Sequence, residues 1–290
     1  MPNIAEAFNL KASISNTDAL PAMPVIAQRL LALKLDTDEG EQQMLSLISQ
    51  DTMISAKIIG LANAPLLRTA RKITSMKEAA LVLGLKRIRS VAMGIAIMSL
   101  MKKPAGRFNL QELWLHNLGV AFGMIAITRK MPLKMRPQED QAFLAGMLHD
   151  IGHLALAYLD REKSDALIDR LANQTNQDSL AIERELLGVT HQDIGAELAL
   201  HWNLPEIIVA VLRYHHEPDL SDGSAGQQLA HIVFLTEKLL PSYSTRESHE
   251  PFIVPDDWMA LGIDPDDEEE IVSRAGEQAE QAHQFAHNFM

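Results

Sequence analysis

Apolar residues recur at helical spacing through most of this chain, and this pattern constrains the fold more than any other feature. Ile26, Leu30 and Leu33 follow one another at i, i+4 and i+7, and the same spacing recurs between Ile54 and Leu61. No segment shows a sustained, strict alternation of apolar and polar residues. The sequence therefore predicts an all-α protein with few or no strands.

Breaks in the helical pattern suggest how the chain is divided. Pro104-Ala-Gly106 is the clearest interruption in the first half, because proline and glycine both end helices. We therefore predict two packed helical subdomains, residues 1–105 and residues 106–240. Residues 241–290 are predicted to form an acidic C-terminal loop and a short helix.

The charge and cysteine content restrict the chemistry. The formal net charge is −12, and residues 241–290 carry twelve Asp and Glu against two Arg. The acidity therefore belongs to the C-terminal segment and says little about a ligand. The chain contains no cysteine. Disulfides and thiolate metal sites are excluded, and any metal ion would be bound by histidine, carboxylate and water.

The sequence also bears on where the protein acts. The N-terminal residues lack the basic start and the apolar run of a signal peptide. The most apolar stretch, Ser90–Met101, is too short to cross a bilayer. We expect a cytoplasmic protein with no membrane partner.

The histidines carry the strongest chemical signal. All eleven lie at or after His116, and eight of them fall between His116 and His231. His149 and Asp150 are adjacent at the end of an apolar segment, and His215-His216 forms a second pair. Imidazole and carboxylate together suit iron, manganese, zinc or nickel better than calcium. Spacing alone leaves a shared metal site and unrelated histidines equally open, because a histidine needs no ligand to be buried or exposed.

The remaining histidines are interpreted as ordinary surface or core residues. His153 follows His149 by one helical turn and shares its face, but most such residues are not ligands. The others in this group are His201, His231, His249, His283 and His287.

Several segments resemble one known family. Residues 141–153, QAFLAGMLHDIGH, resemble the signature of HD-superfamily phosphohydrolases, and residues 191–218 resemble the matching segment of HDOD and HD-GYP proteins. Three segments resemble the N-terminal helical half of HDOD domains, namely residues 20–33, 48–65 and 73–90. Residues 113–121 resemble the family's first histidine helix. The chain is thus similar to the HDOD family over about Leu20 to Leu240. This resemblance implies that the C-terminal subdomain is HD-domain-like.

The resemblance implies a metal site. His116, His149 and Asp150 match the first three metal positions of the superfamily, and Glu237 falls where its last Asp lies. The extra ligands of the HD-GYP branch, which imply a two-metal centre, are matched by His191, His215 and His216. We expect these residues to surround one pocket, with Glu237 at its rim, and to bind one or two divalent ions of iron, manganese, zinc or nickel. Asp150 would also be the catalytic residue, by bridging ions or orienting a water molecule.

Three departures from the catalytic relatives bear on activity. The Gly-Tyr-Pro motif of the HD-GYP branch is absent, His153 stands where that branch carries lysine, and Glu237 replaces an Asp. The HDOD resemblance itself implies a regulatory role. We therefore expect a signal-transduction protein with a metal-binding pocket and weak or no hydrolase activity. Its partner would be an unidentified signalling protein or a small nucleotide.

Two other functions are weighed against this one. A working metal-dependent phosphohydrolase acting on a nucleotide or phosphoester is favoured by the nearly complete ligand set. Nucleic-acid binding would use the basic stretch from Arg68 to Arg89, which holds seven Lys and Arg. No aromatic residue is interleaved there to stack on bases, which argues against nucleic acid as a partner.

Overall fold

The structure, a computed structural model, describes residues 20–64, 67, 69, 71–99, 106–174, 177–220, 225–240 and 253–287. Its α-helices are, in chain order, α1 Val25–Ala32, α2 Asp38–Gln50, α3 Thr52–Ala62, α4 Met76–Leu83, α5 Leu85–Met98, α6 Leu110–Lys130, α7 Glu139–Leu148, α8 Ile151–Leu159, α9 Arg161–Asn173, α10 Ser179–Leu187, α11 His191–His201, α12 Glu206–Tyr214, α13 Ala225–Leu239, α14 Pro255–Ala260 and α15 Glu268–His287. The described residues contain no strand. The predicted all-α fold is confirmed.

Side-chain caps set the start of the helices that matter for the histidines. The Asn109 side chain accepts hydrogen bonds from the first backbone N–H groups of α6, which places His116 two turns into that helix. Thr190 and Asp193 form a reciprocal capping box at the start of α11. His191 is therefore the first residue of α11, with a fixed backbone.

Helix α6 is the centre of the C-terminal half. Most of its length is buried, and it packs against α7, α13 and α15. The Asn117 side chain donates to the Met147 carbonyl oxygen at 3.1 Å, which ties α6 to α7 beside His116. A helix buried on nearly all sides is a core helix, and its side chains hold fixed positions relative to several neighbours at once.

The N-terminal helices join this half through α5, which packs on α7. The Ser90 hydroxyl donates to the Asp140 carbonyl oxygen at 3.1 Å, and the Lys86 ammonium donates to the Gln138 side chain at 2.9 Å. One continuous cluster of buried apolar side chains runs through both halves. The proposed boundaries at 105/106 and 240/241 adjoin residues outside the described ranges, so the domain division stays a prediction.

The C-terminal helix is longer than the sequence indicates. Helix α15 has 20 residues, whereas the acidic composition suggested a short helix. It lies along α6, where Lys130 pairs with Asp267 and Glu270. Trp258 is fully buried and donates to the Glu268 carboxylate at 2.8 Å. Part of the acidic run therefore fastens this segment to the core.

One stretch, Glu139–Leu159, is apolar enough and, at 21 residues, long enough to cross a membrane. Of its most apolar 18 residues, 89% are buried inside the protein. The stretch consists of α7 and α8, which are separated by His149 and Asp150. Its apolar character is explained by its place in the core.

Two glycines allow close helix contacts around the histidines. A Cβ atom added at Gly152 would lie 1.9 Å from the carbonyl oxygen of His191, and one added at Gly146 would lie 2.6 Å from the Ala121 Cα atom. Real Cβ contacts are never this short, so α8 could not approach α11, nor α7 approach α6, with a larger residue.

We therefore expect Gly152→Ala to destabilise the protein by about 1–3 kcal/mol, because the methyl group would push α8 away from α11. The matched control is Gly276→Ala in α15, where an added Cβ meets no atom within 4 Å. That change should stabilise the protein by about 0.5–1 kcal/mol, since glycine is a poor helix former. Urea unfolding followed by circular dichroism measures both. Equal stabilities of the two variants would contradict the packing argument.

Candidate metal centre

Four side chains from α6, the α7–α8 junction and α13 form a first ligand set: His116, His149, Asp150 and Glu237. The Nε2 atoms of His116 and His149 are 3.2 Å apart. Asp150 Oδ2 lies 3.4 Å from His116 Nε2 and 3.3 Å from His149 Nε2. Glu237 Oε1 lies 3.1 Å from His149 Nε2 and 3.7 Å from His116 Nε2. Two imidazoles and two carboxylates thus face one point.

A second set adjoins the first and consists of Asp150, His191, His215 and His216. His191 Nε2 lies 3.2 Å from His215 Nε2 and 3.1 Å from His216 Nε2. Asp150 Oδ1 lies 3.5 Å from both His191 Nε2 and His215 Nε2. The Asp150 carboxylate therefore belongs to both sets, with Oδ2 facing the first set and Oδ1 facing the second.

Backbone carbonyl groups fix the proton position on two of the rings. His149 Nδ1 lies 2.8 Å from the Gly146 carbonyl oxygen, and His215 Nδ1 lies 3.1–3.2 Å from those of Leu212 and Val211. A carbonyl oxygen can only accept, so each Nδ1 carries the hydrogen. In the neutral rings, the Nε2 lone pairs of His149 and His215 then point into the centre.

A carboxylate fixes the position of the hydrogen on the His191 ring. Its Nδ1 lies 2.9 Å from Glu183 Oε1, and its backbone N–H donates to Glu183 Oε2 at 2.7 Å. The Nε2 lone pairs of His191 and His215 therefore face each other at 3.2 Å. Two lone pairs repel at this distance unless a proton or a cation lies between them.

The donor atoms fit a metal ion. Tetrahedral ligands at 2.0–2.2 Å from an ion lie about 3.3–3.6 Å from one another. The donor distances given above run from 3.1 to 3.7 Å in the first set and from 3.1 to 3.5 Å in the second, and all donor atoms of a set lie within 4.8 Å of one another. Imidazole with carboxylate is the donor chemistry of zinc, iron, manganese and nickel sites, and a histidine whose other nitrogen donates to the protein is typical of such ligands.

The electrostatics of the centre are unequal. Burial lowers the pKa of His149, but the carboxylates of Asp150 and Glu237 outweigh it and raise that pKa well above its usual value. Burial and the neighbouring His216 lower the pKa of His215 to about 4. Burial would raise the pKa of Glu237, but His216, His116 and His149 hold it below its usual value. Without metal, a proton therefore resides on His149 rather than on His215.

The structure brings all the predicted ligands together: His116, His149, Asp150, His191, His215, His216 and Glu237. The ring centroids of His149 and His215 are 5.3 Å apart. One expectation was wrong. Glu237 is inside the centre, with a side chain only 2% exposed, rather than at its rim. The extra methylene of Glu, compared with Asp, carries the carboxylate inward from α13.

Two neighbours of the centre were missed or undervalued in the sequence. Glu183 is fully buried at the Nδ1 edge of the His191 ring. His153 stacks on a face of that ring, with centroids 4.2 Å apart. The spacing from His149 hinted at His153. Glu183 stands among other charged residues of α10, and no local pattern marks it as buried.

The remaining histidines and arginines of interest lie elsewhere. His231 is 3.7 Å from Asp257, and His201 ends α11. His249 and the side chains of His283 and His287 fall outside what the structure describes. Arg184 and Arg213, which precede His191 and His215 in the chain, pair with Glu217 and Glu197 at partly exposed positions.

The fold and this centre define an all-α protein with a buried histidine–carboxylate site. The model of the HDOD domain matches residues 20–218, which is more than half of the chain. The chain belongs to the HDOD family.

Individual relatives agree with this assignment. A crystal structure of an HDOD domain protein with unknown function from Geobacter sulfurreducens is 25% identical, with a TM-score of 0.76 over 99% of this chain and 98% of that one. One from Marinobacter aquaeolei VT8, provisionally described as a signal transduction protein, is 23% identical, with a TM-score of 0.77 over 98% of this chain and 66% of that one. A curated, uncharacterised Treponema pallidum protein is 22% identical over 71% of this chain, which covers 40% of that relative.

We expect Asp150→Asn to weaken metal binding in both ligand sets, because an amide has one oxygen and cannot serve two ions. The loss should exceed about 100-fold, the upper cost of removing an outer partner of a ligand. Asp160→Asn is the control, since Asp160 caps α9 and, among the described residues, pairs only with the neighbouring Lys163, and asparagine caps equally well. Isothermal titration calorimetry with zinc or manganese measures the metal affinity of both variants. Unchanged affinity of Asp150→Asn would exclude a shared carboxylate.

Metal affinity should rise with pH between about pH 6 and 8. The raised pKa of His149 means that the ion must displace a proton from this ring. Each displaced proton changes the apparent affinity by about tenfold per pH unit. Competition titrations with a chelator at several pH values test this. A pH-independent affinity would show that His149 carries no proton in the metal-free protein.

Proposed function

We propose that this HDOD protein is a signal-transduction regulator whose buried centre binds one or two divalent metal ions and hydrolyses phosphoesters slowly or not at all. The enclosure of the ligands carries this proposal. Every ligand side chain is 8% exposed or less, with His116 the most accessible. A catalytic metal site keeps a position open for substrate, whereas a structural one is closed by protein ligands.

Within the part of the chain that the structure describes, the surroundings of the centre also lack features that would favour phosphoryl chemistry. His153, at the position of the HD-GYP lysine, is buried against His191. The charges of Arg184 and Arg213 are taken up by Glu217 and Glu197. Loss of a single electrostatic contact to a developing anion costs about 100-fold or more in rate. The centre is therefore better suited to holding ions than to turning over a phosphodiester.

A metal-dependent phosphohydrolase is the alternative. The observation that favours it is the position of Asp150 between the two sets, since a carboxylate with one oxygen facing each set would suit the paired ions of a two-metal hydrolase. Bound ions would supply an activated water and polarise a phosphoryl oxygen. Asp150 would hold both sets together, and Glu237 would balance the positive charge of the first set.

Under this regulatory proposal, the partner is another protein or a small nucleotide, and the HDOD protein acts in the cytoplasm. Nucleic acid gains little support from the basic stretch, because two of its described arginines pair with carboxylates of the protein. Arg71 pairs with Glu78, and Arg87 pairs with Glu139. These pairs leave less free positive charge for a phosphate backbone.

We expect metal-reconstituted protein to turn over cyclic dinucleotides, nucleoside triphosphates and deoxynucleotides more slowly than about 1 s⁻¹, the low end of ordinary enzymes. Slow hydrolysis of p-nitrophenyl phosphate is compatible with this, because bound metal alone activates water. His149→Ala is the control for contaminating activity. Faster turnover that disappears in His149→Ala would establish the phosphohydrolase and refute the regulatory proposal.

A further inference from the structure

A carboxylate lies behind the second ligand set. Glu183 in α10 has no exposed side-chain surface. Its Oε2 accepts from the backbone N–H of His191 at 2.7 Å, and its Oε1 lies 2.9 Å from His191 Nδ1. A buried carboxylate is costly to desolvate and persists where hydrogen bonds compensate for the lost water. Both of these bonds go to His191.

The His191 ring is also held from its face. His153 stacks on it with an interplanar angle of 19°. The edge of the ring is fixed by Glu183, and its Nε2 atom lies 3.5 Å from Asp150 Oδ1. Neither the position of the ring nor its tautomer is free to change. Nε2 is therefore presented to the second set as an acceptor in a fixed direction.

The two ligand sets differ in how much they depend on their histidines. The first set contains two carboxylates, and the second contains three imidazoles with only the shared Asp150 carboxylate. His149 and His215 donate to backbone carbonyl oxygens, whereas His191 donates to a carboxylate. A carboxylate partner makes an imidazole a stronger metal ligand than a carbonyl does.

Helix α10 contacts a second histidine of this set indirectly. Arg184, next to Glu183, pairs with Glu217 at 2.7 Å, and Glu217 follows His216 in the chain. The same short helix therefore holds His191 through the buried Glu183 and is linked to the segment of His216 by a partly exposed ion pair.

From this geometry we infer that Glu183 is a positioning residue that determines whether the second ligand set holds a metal ion, by fixing the His191 ring. The inference rests on the proposed metal-binding function. It assigns the two sets different roles: the first binds an ion through its own carboxylates, and the second binds one only while Glu183 holds His191.

Glu183→Gln tests this inference, because glutamine keeps the shape but has one oxygen for two N–H donors. Cobalt(II) is the probe, with visible absorption and the number of bound equivalents as readouts. The second equivalent should bind about 10–100-fold more weakly, the usual cost of losing an outer partner, and its absorption should change. The first equivalent should keep its affinity and spectrum.

Asp193→Asn is the matched control, since Asp193 caps α11 beside His191 without touching its ring. It should lower the thermal unfolding midpoint and leave both cobalt equivalents unchanged. Loss of the second equivalent in this variant would assign the effect to helix packing and overturn the inference. Two equivalents with wild-type affinity in Glu183→Gln would overturn it as well.

Two further outcomes are distinguishable. If the wild-type protein binds no cobalt, manganese or zinc, the proposed metal-binding function fails, and the inference fails with it. If Glu183→Gln does not fold, Glu183→Asp replaces it, because the shorter side chain keeps both acceptors but draws the His191 ring back. The second equivalent should then weaken alone, and unchanged binding would overturn the inference.

Discussion

The sharing of one carboxylate by two groups of histidines is the interaction on which the rest of the structure depends. Asp150 lies at the break between α7 and α8, and its two oxygens face opposite ligand sets. A break at this point turns the chain so that His149 and Asp150 both point inward. The helices on either side must then pack closely enough for ligands from α6, α11, α12 and α13 to reach the same carboxylate. The glycines at Gly146 and Gly152 permit that closeness.

Much of this arrangement is visible in the sequence. Helical periodicity predicts the all-α fold. The residues of the capping box at the start of α11, Thr190 and Asp193, are also separated by the spacing typical of such a box. The ligand residues follow from the resemblance of the HDIG and double-histidine segments to the HD superfamily. Without that resemblance, spacing alone could not bring His116 and Glu237 together, because their proximity depends on the packing of α6 against α13.

Other features depend on tertiary contacts and have no local pattern. Glu183 resembles any surface carboxylate of an amphipathic helix until α10 is packed against the start of α11. The depth of Glu237 depends on the length of its side chain and on where α13 lies. The C-terminal helix is longer than predicted because it packs along α6, where Lys130 pairs with Glu270 in its first turn.

The ligands of the centre come from positions that are far apart in the chain, between His116 and Glu237. Ions bound in both sets would join five helical segments through Asp150 and would stabilise the folded chain, because the site does not exist in the unfolded one. Helices that carry no ligand, such as α9 and α15, would be held to this joined core by packing and by ion pairs such as Lys130 with Glu270. The supply of metal in the cell would then determine how many ions are bound, and the number of bound ions would determine how rigid the protein surface is.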